Sequence, residues 1–354
     1  MFSQIRGALP PHPHAKQSKI HHGVSAHQQD EPQQVEALQN GKDERRRVER
    51  IHFVVSYAPP PASYNWGNRR NMFRLGVLAL FPVIAFAAKP PEWQRAHELF
   101  QRTEYQQSLD VLKAVSGKDS DALQLMGQDY FMLGEYKKAT EELEKALAVG
   151  NPTAQLYMWL GRAYGRRAET SSPFTAPGYA SHAQKMFEKA VDLDISNKDA
   201  VGDLFDYYMG APGFLGGGLN KAEDLARKVS VRDPAEGFYL KAQIDDKRKQ
   251  YDAAEQSLRR ALELTPKQVG RVLDLAHYLS KRGRAKESDA LFEQATNMAP
   301  ENPEVLFVRA ESYIEARRNL EDARRLLEKY LRSPLTPDDP PRERAQELLA
   351  KARP

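Results

Sequence analysis

The chain has 354 residues, 41% of them hydrophobic and 28% charged, with 21 Gly, 23 Pro and no Cys. That length has room for two or three domains, and the missing Cys removes disulfides, thiolate metal sites and a cysteine nucleophile. The net charge of +4 is unevenly spread: residues 1–71 hold 10 Lys and Arg against 6 Asp and Glu, whereas residues 88–354 hold 41 against 42. The long C-terminal part is neutral overall, so no nucleic-acid partner is expected of it.

Residues 1–71 are rich in His, Gln and Pro and show no sustained apolar period. Such a segment cannot bury enough surface to offset its ordering entropy, and it is expected to be disordered, with at most a weak helix around 35–50. His12, His14, His21, His22 and His27 read as a polar tail, because no carboxylate is interleaved at ligand spacing. The character changes at Met72. Arg69, Arg70 and Arg74 form a basic flank, residues 75–86 form an apolar core, and Ala85 and Ala87 supply the small residues of a cleavage site. This is the plan of a secretory signal peptide over 72–87, cut after Ala87. It falls short of the roughly 20 apolar residues that span a bilayer, and Pro82 interrupts it. The expected location is therefore periplasmic or secreted, with residues 1–71 an extension from a mis-called start. The alternative is an uncleaved anchor in the inner membrane, the 72–88 segment then being the only membrane contact.

From Glu92 onward the pattern is helical and repeats itself. The clearest unit carries Leu125, Gly127, Tyr130, Gly134, Tyr136, Ala139, Leu143 and Ala146; the next has Leu160, Gly161, Tyr164, Ala183, Phe187 and Ala190. The small residue of the second helix recurs at Ala139, Ala183, Ala222, Ala254, Ser288 and Ala323. This register resembles the tetratricopeptide repeat, whose period is 34 residues. Units are expected at about 92–119, 120–153, 154–197, 198–234, 235–268, 269–302 and 303–333, within a domain over 88–354. The resemblance implies an all-α fold: an α-solenoid, a right-handed superhelix of about seven helix pairs. A capping helix over 340–353 follows, with Asp339 as N-cap and Pro340 at its first position. Gly127 and Gly161 let paired helices approach, and Pro234, Pro266 and Pro300 end second helices. Insertions around 169–179, where the paired helices are separated or extended, and 211–219 fall between paired helices and so emerge at one edge, side by side. The three consecutive glycines from Gly216 lack a preceding strand and a following Gly-Lys-Ser/Thr, so they read as a turn with positive φ.

His97, His182 and His277 lie in different units with no catalytic or metal-ligating spacing around them. No enzyme activity, cofactor or metal is expected. The resemblance implies instead a scaffold that binds a protein or extended peptide, of unidentified sequence, in a concave groove lined by first helices. The family's groove-facing position projects onto Gln128, Arg162, Asp206, Gln243, His277 and Glu311, and one turn further onto Phe131, Arg166 and Lys281. The chaperone-tail carboxylate clamp has Lys and Asn there, from which Gln128 and Arg162 depart. Arg162 and Arg166, at i and i+4, share a face and are expected to grip a partner carboxylate.

Overall fold

The computed structural model describes residues 89–352. The expected N-terminal extension, its His tract and the 72–87 signal segment lie outside the described residues.

Fifteen α-helices and no strand occur among the described residues, and fourteen of them form seven antiparallel pairs. The pairs are α1 (Pro91–Gln101) with α2 (Tyr105–Ala114), α3 (Ser120–Met132) with α4 (Tyr136–Val149), and α5 (Ala154–Thr170) with α6 (Ala176–Leu193). Next come α7 (Lys198–Gly210) with α8 (Leu219–Ser230), α9 (Pro234–Lys247) with α10 (Tyr251–Leu264), α11 (Val269–Lys281) with α12 (Ala285–Met298), and α13 (Pro303–Glu315) with α14 (Leu320–Arg332). A single helix, α15 (Arg342–Lys351), closes the stack. Each helix packs on its partner and on the next pair, so the fold is an all-α solenoid held together by neighbour contacts.

The repeat register has a direct physical basis. Ala139, Ala183, Ala222, Ala254, Ser288 and Ala323 are all 0% exposed, at the crossing of first and second helix. From the other side, a Cβ at Gly127 would stand 2.5 Å from Leu143 Cγ, and one at Gly161 would stand 2.5 Å from the Phe187 ring. Only residues without bulk permit that approach. One hydrophobic cluster runs unbroken from Ala96 on α1 to Ile244 on α9, and smaller clusters continue to α15.

First and second helices start differently. Asp119, Thr153, Asn197, Asp233 and Asn302 cap first helices by accepting a bond from a backbone N–H two or three residues on. Four of the second helices follow a three-residue turn instead. In those turns an amide reaches back to the first helix, as Glu135 N does to Tyr130 O (2.8 Å) and Arg284 N to Leu279 O (2.9 Å). The middle residue is left-handed: Thr103, Gly134, Lys249 and Gly283, with φ of 61°, 76°, 61° and 76°.

Two details of the sequence reading need correction. Pro234 opens α9, after the Asp233 cap, and does not terminate α8. The closing helix begins at Arg342 behind Pro341; Asp339 instead accepts bonds from Thr336 N (2.8 Å) and Thr336 Oγ1 (2.9 Å), bracing the preceding loop. The first insertion lengthens helices more than it makes a loop: α5 and α6 have 17 and 18 residues, with only Ser171–Thr175 between them. The second forms a 3₁₀ turn over Gly213–Leu215, where Tyr207 donates its hydroxyl to Leu215 O at 2.6 Å. Gly216 and Gly218 have φ of 84° and 141°, so this glycine run is a shaped turn.

Candidate functional site

The projected positions fall at equivalent places on successive first helices, from α3 to α13. Their environments differ sharply. Gln128 and Phe131 on α3 are 6% and 7% exposed, and Phe131 packs edge-on against Tyr136 and Trp159 at 5.5 and 5.4 Å. Arg162 on α5 is 4% exposed, lies 5.0 Å from the Trp159 ring and donates from Nε to Asp203 Oδ2 of α7 at 2.5 Å. Arg166, one turn on, is half-buried; it pairs with Glu169 and donates to the Tyr136 hydroxyl at 3.1 Å. Both arginines do hold carboxylates, but those of their own chain. Asp206 and Gln243 are half-buried, and Lys281 is exposed with its Nζ 3.1 Å from Asp246. His277 is 3% exposed; its Nδ1 lies 2.7 Å from Ser312 Oγ and its Nε2 3.3 Å from a Glu315 oxygen. Glu311 accepts from Arg344 of α15 at 2.9 Å.

These contacts form lateral links between one first helix and the next. Arg162–Asp203 joins α5 to α7, and Lys198 of α7 reaches Asp233 at the start of α9 (2.9 Å). Arg271 of α11 pairs with Glu236 of α9 and holds Asp274 at 2.9 Å. His277–Ser312 joins α11 to α13. Asp203, Glu236, Arg271 and Ser312 were not singled out from the sequence. A signal for them existed: three of the links connect residues 35 positions apart, one repeat plus one.

The row is short of cations. Asp199, Asp203 and Asp206 fall at i, i+4 and i+7 on one face of α7. Burial pushes Asp199 up to about 6, against the pull of Arg162, with Asp203 adding repulsion. Burial and the Asp203 charge push Asp206 up to about 7. Glu304, at the start of α13, is raised to about 7 by burial and then by Asp274 and Asp339. None of Asp199, Asp206 and Glu304 has a cation within ion-pair distance among the described residues. Burial holds His277 well below the usual range, so its ring is neutral.

Ser312, His277 and Glu315 are the residue types of a nucleophile–base–acid set. Ser312 is 1% and His277 3% exposed, so no substrate carbonyl reaches the hydroxyl. Their contact ties two helices together.

Two segments match family models described as tetratricopeptide repeat, residues 235–268 and residues 273–340. No curated protein matches in sequence. Similar solved structures include the C-terminal part of a repeat protein of this kind from Cytophaga hutchinsonii, at 19% identity and TM-score 0.40, over 73% of this chain and 99% of that one. A tetratricopeptide repeat protein from Parabacteroides merdae aligns at 14% identity and TM-score 0.49, over 74% and 97%. A third, from Thermus thermophilus, aligns at 18% identity and TM-score 0.38, over 64% and 96%.

Proposed function

We propose that this tetratricopeptide-repeat protein is an exported scaffold with no chemistry of its own, binding an extended protein segment along its row of first helices. The repeats make it a protein-interaction scaffold; the groove as the binding site, and the export, are the finer parts of this reading. One observation supports the groove. The guanidinium groups of Arg162, Arg271 and Arg344 are held by carboxylates of this chain, whereas among the described residues Asp199, Asp206 and Glu304 have no cation within ion-pair distance. What the row has left to offer is therefore acceptor groups, suited to the amides and cationic side chains of an extended chain. Burial of Ser312 and His277 argues against catalysis there.

The test is to recover a partner by affinity from the cell envelope and measure its affinity for the parent and for Asp206→Lys with Gln243→Ala. A tenfold or greater loss, about 1.4 kcal/mol, with unchanged helical content is expected. Parent-like binding overturns the groove reading. Export is tested by sequencing the N-terminus of the mature chain. A start at Ala88 supports cleavage, and an intact 72–88 segment supports the anchored alternative.

A further inference from the structure

In a stack of antiparallel pairs, every connection within a pair emerges at one edge and every connection between pairs at the other. The two edges differ. The within-pair connections carry seven Lys and Arg against two Glu, whereas the between-pair connections carry three against six Asp and Glu. The basic edge also carries the largest exposed aromatic groups: Phe174 is 96% and Phe214 70% exposed, one on each inserted connection. Those connections are neighbours. The 3₁₀ turn of the second packs on α6, and a Cβ at Gly216 would stand 2.1 Å from Gln184 Oε1, eight residues along α6 from where the first ends, a rise of about 12 Å.

The cations are concentrated on the next three pairs. Lys249 stands on the α9–α10 turn, Arg282 on the α11–α12 turn, and Arg317 on the α13–α14 turn, all exposed, whereas Arg248 beside Lys249 is held by Glu223 of α8. Lys249 and Arg317 have φ of 61° and 49°, a left-handed conformation that Gly134 and Gly283 hold elsewhere without strain. Neither has a carboxylate within ion-pair distance among the described residues. The Arg282 guanidinium lies over the Tyr251 ring, its Cζ 3.6 Å from the ring centre, which presents it at the surface.

We propose that this edge docks on an anionic lipid bilayer. Phe174 and Phe214 enter the headgroup region, and Lys249, Arg282 and Arg317 pair with lipid phosphates. A nucleic-acid duplex would use the cations but leave both phenyl rings in water; a bilayer interface takes up both kinds of group. The contact is separate from the 72–88 segment and from the first-helix row, and it leaves that row open while the protein sits on a membrane.

The chain has no Cys, so one introduced thiol labels a single site. Full-length Ser172→Cys, carrying an environment-sensitive fluorophore beside Phe174, is titrated with phosphatidylcholine vesicles with and without phosphatidylglycerol. The expected result is a blue-shifted, brighter emission with the anionic vesicles only, weakening as salt is raised. A label at Val231→Cys, 82% exposed on the opposite edge, stays silent, which separates edge docking from insertion of the N-terminal segment. Adding Phe214→Ser, or Lys249→Glu with Arg317→Glu, to the Ser172 label weakens the response about tenfold. A silent Ser172 label, an equal response to neutral vesicles or at Val231, or tighter binding of a DNA duplex or single strand than of the vesicles overturns the proposal.

Discussion

Asp129 is a buried acid at the joint between the first two pairs, and its removal has a calculable signature. Its side chain on α3 is 0% exposed; Oδ2 accepts from Ser108 Oγ of α2 at 2.8 Å, and Oδ1 is buried without a partner. Burial pushes its pKa from 3.8 up to about 8, the Ser108 bond opposing this only in part. The sign follows from where the proton sits. Between about pH 4 and pH 8 the folded chain keeps a proton that the unfolded chain has lost, so the acid's contribution to stability falls as pH rises. The slope is about 1.4 kcal/mol per pH unit, or roughly 3 kcal/mol between pH 5 and pH 7. Below pH 4 the contribution is fully present, and above about 8 its loss is complete. Asp129→Asn keeps the shape and an acceptor for Ser108 but has no proton to lose. The variant is therefore expected to gain on the parent steadily across that window. Denaturant midpoints at pH 5, 6 and 7 measure the difference, and amide exchange in α2 and α3 localises it. Using the difference cancels Asp199, Asp206 and Glu304, which titrate in the same range in both proteins. A parent–variant gap that stays flat with pH refutes a neutral, buried acid at this position.

Other substitutions test the packing. Ala139→Trp and Ala254→Trp each overfill a crossing that is 0% exposed, with an expected loss of about 1–3 kcal/mol in thermal or denaturant unfolding; neutrality at both refutes the register. Gly217→Ala places a Cβ 1.9 Å from the Ala211 carbonyl oxygen, so the turn must move; slower-exchanging amides in α7 and α8 are expected to lose protection, and unchanged exchange refutes the contact.

What was legible in the sequence was what repeats. The small residues at the helix crossings recur in register, and all six are fully buried, because close approach of paired helices leaves no choice of size. The two glycines of the first helices follow for the same reason. Helix ends were less legible. Pro234 fits equally a stop for the helix before it or the first turn of the one after it, and only the Asp233 cap decides. The face of a residue could be projected from the family pattern, but not its partner. Arg162 and Arg166 were placed on one face, yet whether a guanidinium meets a stranger's carboxylate or its own chain's depends on Asp203 and Glu169, which the pattern leaves free.

The lateral links suggest why those partners belong to the same chain. Glu236 and Arg271, Asp246 and Lys281, and His277 and Ser312 are each 35 residues apart, so each link sets one first helix against the next at a fixed height. Apolar packing alone tolerates sliding between similar helices; a buried ion pair does not, since a shifted pair leaves two charges unpaired. Arg271 and Glu236 have side chains only 5% and 6% exposed. Arg271→Met therefore strands Glu236 and Asp274 and is expected to cost about 3–5 kcal/mol in denaturant unfolding. Lys198, 3.7 Å from Glu236, recovers only part of that. Adding Glu236→Gln removes one stranded charge, so the double variant is expected to be more stable than the sum of the two single losses predicts. Amide exchange should rise in α9 and α11 for Arg271→Met and return towards the parent in the double variant. Strict additivity, with exchange unchanged in those two helices, would show that the pair decorates the row without holding its register.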